Sequence, residues 1–198
     1  MKSSYRFYRG CFRVAHVLFR MFFFYKVTGR ENVPGGAALV CANHSSYLDP
    51  IFASLAIGIG DHVHHVAKSE LFKVPVLSWV IIKLGAISVD RAKSDMSTIK
   101  NSLEYLRKDR KVSIFPEGRR VAAEDEAAAK AGAIKIAERT ATPIIPIYIP
   151  RKKPVFRRLT VAVGAPYHIE KKEGKRTLEE YSELAKDLMR RIEELGAR

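Results

Sequence analysis

In the stretch ANHSSYLDP a histidine and an aspartate, His44 and Asp49, stand five positions apart. They follow a short apolar run, ALVCA, and come just before a proline. A neutral imidazole takes a proton from a hydroxyl when a carboxylate fixes its other ring nitrogen. The same carboxylate then stabilises the imidazolium that forms. One tight turn brings Asp49 within reach of His44, and a place at the mouth of a helix opened by Pro50 keeps the carboxylate ionised. Ser45 and Ser46 suggest a rival, a serine nucleophile with His44 as its base, but no G-x-S-x-G elbow surrounds them. Histidine and aspartate at this spacing also arise by chance, and Asp49 would serve equally as a helix cap. The rest of the chain has to decide.

Two further blocks bear on it. SIFPEGRR sets a strand, a rigid proline, an acid and Gly118 ahead of Arg119 and Arg120. Gly118 permits close backbone approach, and arginine forks suit a phosphate monoester. GAISVDR ends another strand with Arg91. Each arginine by itself is ordinarily a surface charge. Three strand ends that each close on polar groups imply one shared site at one edge of a sheet. The cluster DHVHHVAK is the one temptation towards a metal. On a strand His62 and His64 share a face and His65 takes the other, so at most two imidazoles converge and no metal is expected. Cys11 and Cys41 form no ligand-like spacing and read as two reduced thiols.

These residues need elements to hold them. AALVCA reads as a buried strand, PIFASLAIGI as a helix, HVHHVA as a strand, and VPVLSWVIIKLG as an apolar helix ended by Gly85. AISVDR is a short strand, and SDMSTIKNSLEYLRKD a helix capped by Ser94 or Asp95. KVSIFPEG is a strand entering a turn, and EDEAAAKAGAIKIAER an Ala-rich helix. TPIIPIYI and FRRLTVAVG are strands, and TLEEYSELAKDLMRRIEEL is a closing amphipathic helix. Strands alternating with helices in 198 residues predict one α/β domain.

Charge and the first segment bound the partners. Lysine and arginine outnumber aspartate and glutamate by 35 to 21. The first thirty residues hold seven of these cations and no acid, and a second acid-free stretch, 139–169, contains RKKPVFRR. Such a balance suits nucleic acid, an anionic membrane or acidic soluble partners. No helix-turn-helix, finger or RNP signature is present, so nucleic acid is not expected. On a helix Lys2, Arg6, Arg9, Arg13, His16 and Arg20 form one basic stripe, with phenylalanines and valines around the rest. Arginines interrupt the run too often for a bilayer span. The pattern predicts an amphipathic helix over 1–27 lying in a membrane interface, ahead of a domain over 28–198. The bland alternative is a helix packed on its own domain with its arginines solvated. No signal-peptide cleavage pattern follows, which points to the cytoplasmic face of the membrane with peripheral attachment.

Taken together, NHSSYLD, GAISVDR, FPEGRR and TPIIPIYI stand in the order of the motifs NHxxxxD, GxxFxDR, FPEGTR and V-P-I-I-P-V. The chain thereby resembles the PlsC-type glycerophospholipid acyltransferases, the 1-acylglycerol-3-phosphate acyltransferase family. AKSELFKVP and KAGAIKIA are similar to the segments between those motifs, and the likeness covers roughly residues 28 to 168. It implies a single mixed sheet flanked by helices. It also implies acyl transfer from acyl-CoA or an acidic acyl-carrier protein to lysophosphatidic acid, giving phosphatidic acid without a cofactor. By this resemblance His44 and Asp49 are catalytic. Lys68, Arg91, Glu117, Gly118 and Arg120 bind substrate, with Glu117 contacting glycerol or bracing an arginine. Arg119 departs from the family's threonine, and Ser88 and Val89 from its Phe-Ile. Alternatives are the same fold acting on another lysolipid or on glycerol 3-phosphate, and a non-catalytic basic membrane- or nucleic-acid-binding protein.

Overall fold

The run ALVCA is buried at every residue, as an apolar strand covered on both faces must be. It forms β2 (Ala38–Ala42), the middle of a seven-stranded sheet in a computed structural model that describes residues 2–90, 96–121 and 129–197. The other strands are β1 (Lys26–Thr28), β3 (Val63–Lys68), β4 (Ile87–Val89), β5 (Lys111–Ile114), β6 (Ile144–Tyr148) and β7 (Thr160–Val163). Their spatial order is β1-β7-β6-β2-β5-β3-β4. Five strands, β2 to β6, run parallel, β7 is antiparallel to β6, and β1 runs with β7. All five parallel strands therefore deliver their carboxyl ends to one edge, the natural place for a site.

Alternation along β2 divides the core. Ala38, Val40 and Ala42 face one apolar layer with Phe52, Leu55, Ile145 and Ile147, while Leu39 and Cys41 face another with Val112, Ile134, Leu188 and Ile192. The first layer is covered by α1 (Lys2–Phe23) and α2 (Asp49–Ile57). The second is covered by α4 (Met96–Arg107), α5 (Gly132–Thr140) and α6 (Leu178–Gly196). The short α3 (Leu77–Lys83) packs beside α1. The last helix starts on a reciprocal cap in which Thr177 Oγ1 accepts from Glu180 N and the Glu180 carboxylate accepts from Thr177 N.

Two local expectations change. The Ala-rich helix begins at Gly132, because Lys130 N donates to Pro116 O (2.8 Å) and holds the preceding backbone against the FPEG turn. Residues 122–128 of that stretch, like Ser94 and Asp95, lie outside the described residues. The first helix ends at Phe23 and not at residue 27, and Lys26 and Val27 belong instead to β1, an edge strand too short and too exposed to show an apolar alternation in the sequence.

Tyr8, Phe19 and Phe23 of α1 are buried against the domain, whereas Val14, Val17, Leu18, Met21 and Phe22 are exposed. Among the described residues no helix is long and apolar enough to cross a membrane. Near the start of α1 four rings stack in series, Tyr8 on His62 (4.1 Å between centroids), His62 on His64 (4.2 Å) and His64 on Tyr105 (3.9 Å). The stack links α1 to α4 across β3. Burial depresses the pKa of His64, to about 4, and of His65, to about 3.

Unfolded histidines titrate near 6.5, so below that pH the unfolded chain binds protons that the folded one refuses. Stability is then complete above about pH 6.5 and falls with acid towards pH 4, by up to about 1.4 kcal/mol per pH unit for each such histidine. Urea denaturation across this range should show the decline, and His64→Phe should remove about one proton's worth of slope. An unchanged slope would place the titrating groups elsewhere.

Candidate functional site

At the carboxyl edge, the chain leaving β2 is fixed before it reaches His44. Asn43 Nδ2 donates to Ile149 O (2.7 Å) and Asn43 Oδ1 accepts from Ile149 N (2.8 Å). This side-chain rung extends the β2–β6 pairing by one step and satisfies every group involved. His44 follows with both backbone groups engaged. Its N–H donates to Glu117 Oε2 (2.9 Å), and its carbonyl accepts from Val121 N (2.8 Å). The FPEG turn after β5 and the histidine after β2 are thus hydrogen-bonded to each other.

The loop then folds onto Asp49, the first residue of α2, which has no exposed surface. Asp49 Oδ2 accepts from His44 Nδ1 (2.9 Å), Ser45 N (2.6 Å) and Ser46 N (2.6 Å). Its other oxygen, Oδ1, lies 2.7 Å from Lys153 Nζ, and that ammonium is itself nearly fully buried. Burial works to raise the Asp49 pKa, but the His44 and Lys153 bonds, the Lys153 charge and the Ser46 amide outweigh it and hold the carboxyl below its ordinary range. With Nδ1–H given to an ionised carboxylate, Nε2 is left as the ring nitrogen with a free lone pair. Phe115 stacks on the imidazole at 4.2 Å and 20°, so the ring cannot swing away from this tautomer's geometry without losing an aromatic face.

Glu117 is buried and committed. Its second oxygen accepts from Arg151 Nη2 (2.7 Å), which also meets Glu193 on α6 (2.6 Å). Burial pushes the Glu117 carboxyl up, against the pull of Arg151 and of the His44 amide. The arginine it braces is Arg151. Gly118 adopts φ +66°, a left-handed backbone conformation that calls for glycine, while the Lys130 side chain that lies over it is free to shift. The Arg120 guanidinium lies 3.5 Å from the centroid of Tyr47, inside the His44–Asp49 loop. Lys68 ends β3 at the same edge but pairs with Glu70 (2.8 Å) in a half-exposed salt bridge. Arg91 lies outside the described residues.

The serines have structural duties. Ser45 Oγ donates to Arg151 O (3.1 Å) and accepts from Lys153 Nζ (2.9 Å), while Ser46 Oγ accepts from Leu48 N (3.2 Å). The three histidines of DHVHHVAK are also engaged: His62 Nε2 donates to Leu84 O, His64 Nδ1 donates to Gly85 O, and His65 bonds Ser54 Oγ. Among the described residues no three histidine, cysteine or acidic side chains are grouped to hold a metal.

Sequence reasoning missed Asn43, Phe115, Arg151 and Lys153 as parts of the site. A signal was present for the last two. RKK follows immediately on the strand that ends beside β2, in an acid-free stretch, and reading it as surface charge overlooked that the strand end itself lies at the site. The side chains set an oriented imidazole against an ionised carboxylate, an arrangement that can remove a proton from a hydroxyl, with the Arg120 guanidinium close by for an anion.

A profile of the Acyltransferase family matches residues 24–150. The chain is 30% identical over 168 residues to the 1-acyl-sn-glycerol-3-phosphate acyltransferase of Bacillus subtilis, a match covering 81% of this chain and 82% of that one. It is 29% identical over 174 residues to the enzyme of the same name from Pseudomonas aeruginosa, covering 81% and 65%. The crystal structure of the 1-acyl-sn-glycerophosphate (LPA) acyltransferase PlsC from Thermotoga maritima superposes with a TM-score of 0.66 at 25% identity, covering 100% of this chain and 80% of that chain.

Lys153→Met leaves Asp49 Oδ1 buried without its cation. Loss of one partner from a buried ion pair costs about 3 kcal/mol or more. Equilibrium unfolding at neutral pH should show that loss, whereas exposed Lys152→Met should cost close to nothing. Equal, small effects would mean that Lys153 is not holding the carboxylate.

Proposed function

Because the chain belongs to the acyltransferase family, we propose that it transfers a fatty acyl group to the free hydroxyl of lysophosphatidic acid, forming phosphatidic acid. The observation that supports this most is the Asp49-oriented His44 at the carboxyl edge of a parallel sheet, hydrogen-bonded to the FPEG turn.

His44 Nε2 accepts the hydroxyl proton as the oxygen attacks the carbonyl carbon of a thioester, acyl-CoA or acyl-carrier protein. The imidazolium is balanced by Asp49, whose position is set by two backbone amides and Lys153. That attack forms the ester C–O bond, and collapse of the tetrahedral intermediate restores the carbonyl and breaks the C–S bond. The leaving thiolate takes the proton held by His44, so the products are phosphatidic acid and a free thiol. No acyl-enzyme is needed, which agrees with the structural use of Ser45 Oγ. A thioester is already activated, and the step draws on no metal. The acceptor's phosphate is assigned to Arg120, poised over Tyr47, together with Arg91 from the sequence motif and Gly118, which brings backbone close. Lys68 reaches it by leaving Glu70, an exposed pair worth little.

Such an acceptor lies in a bilayer with its headgroup at the surface. The exposed Val14, Val17, Leu18 and Met21 of α1 supply a face for the membrane interface, and its arginines suit lipid phosphates. Peripheral attachment at the cytoplasmic face follows from this reading, and an acidic carrier protein or CoA would meet a basic surface.

His44→Ala should abolish nearly all lysophosphatidic-acid-dependent thiol release, by a factor of about 10³ or more, with the melting temperature little changed. Arg120→Ala should raise KM for lysophosphatidic acid about tenfold or more and leave an unphosphorylated monoacylglycerol unaffected. A folded His44→Ala enzyme with substantial activity would end this proposal.

A further inference from the structure

A second cationic feature lies at the same sheet edge, away from His44. A groove of about 750 Å³ opens between the end of α1, the start of β1 and the start of β7. It is lined by Arg20, Lys26, Arg30 and Arg158, with His16 and Tyr25 on its wall, and no acidic side chain takes part. β1 stands three strand spacings, about 15 Å, from β2, so the groove opens beside the edge strand and not beside His44.

The four cations come from separate parts of the chain. Arg30 is held rigid by bonds from Nε to Ala56 O (3.1 Å) and from Nη2 to Leu55 O (2.6 Å), at the carboxyl end of α2. Tyr25, itself buried, shares a 2.6 Å hydrogen bond with His16. Among the described residues none of the four cations forms a salt bridge with a carboxylate. Elsewhere the chain pairs its cations freely, as on α6. Like charges gathered in a concavity repel one another, and an anion relieves that repulsion. The rim carries one exposed aromatic, Phe24, and two residues before it in the chain Phe22 lies 5.8 Å from Phe156, with a backbone bond from Phe156 N to Phe22 O. The exposed apolar face of α1 runs into this rim.

We propose that the groove binds the phosphate headgroup of one anionic membrane phospholipid, apart from the acyl acceptor, with a phosphomonoester preferred. Guanidinium forks use the additional free oxygens and second charge of a monoester, which a diester headgroup lacks. The aromatic rim sits at the depth where headgroup meets acyl chain. The inference rests on the membrane reading of α1 and adds to it a defined lipid site.

The test is sedimentation of the full chain with phosphatidylcholine vesicles alone, and with vesicles carrying phosphatidic acid or phosphatidylglycerol at matched zeta potential. The wild-type protein should favour phosphatidic acid, and Lys26→Ser/Arg158→Ser should lose that preference, with about a tenfold fall in partition or more. Lys171→Ser/Lys175→Ser, which removes the same charge from exposed positions elsewhere, should keep it. Equal losses in the two double variants would reduce the groove to diffuse charge and overturn the proposal. So would a raised KM for acyl-CoA in Lys26→Ser/Arg158→Ser with vesicle preference intact, which would assign the groove to the donor. A thermal upshift with inorganic phosphate, lost in that variant but unaccompanied by any vesicle preference, would assign it to a soluble anion and also overturn the lipid. Wild-type protein that binds all vesicles alike sinks the groove but spares the membrane reading. Indifference to every vesicle sinks both.

Discussion

One buried charge organises the site. Asp49 is removed from solvent entirely, and an ionised carboxylate in that position needs donors on every side. It finds them in an imidazole, two consecutive amides of its own loop and the ammonium of Lys153. The compact loop follows from this, since Ser45 N and Ser46 N reach back to Asp49 only if the chain curls tightly between histidine and helix. So does the recruitment of a lysine from a segment more than a hundred residues later. A carboxylate held so firmly cannot wander, and the imidazole it holds has one tautomer to offer.

The sheet lowers the entropic cost of this arrangement because its hydrogen bonds already hold the strand exits together. Asn43 joins the exits of β2 and β6, and Glu117 joins those of β2 and β5 through the His44 amide. Arg151 then ties Glu117 to α6. The chain is thus cross-linked at its site by side chains bonded to one another and to the backbone, in the manner of a preorganised polar network. Because each donor and acceptor here has its partner, deformation at one strand end is felt at the others.

The sheet extends outward to helix α1 and the groove beside it. Helix α1 buries Phe19 and Phe23 in the first core layer and leaves Val17 and Met21 exposed, so it belongs to the domain on one side and to its surroundings on the other. Its Arg20 lines one groove with Lys26 of β1, Arg30 beyond it and Arg158 ahead of β7. These cations gather with no acid among them, while the acids of α6 balance their own arginines.

What the sequence determined by itself was the set of strands and helices with clear apolar period, the edge at which they end, and the pairing of His44 with Asp49. These depend on local spacing: an alternation of two for strands, a turn of five residues for the pair, a proline and an acid at a helix mouth. It also carried four ordered motifs, which is why the family could be read before any fold. Only the tertiary structure decided that Lys153 completes the carboxylate, that Arg151 rather than a neighbouring arginine is braced by Glu117, and that α5 starts at Gly132. Each of these depends on a contact across the sheet, and spacing along a chain says nothing about what lies opposite. A lysine in a run of cations reads as solvated until the fold places it against a buried charge, and burial is a property of the packed whole.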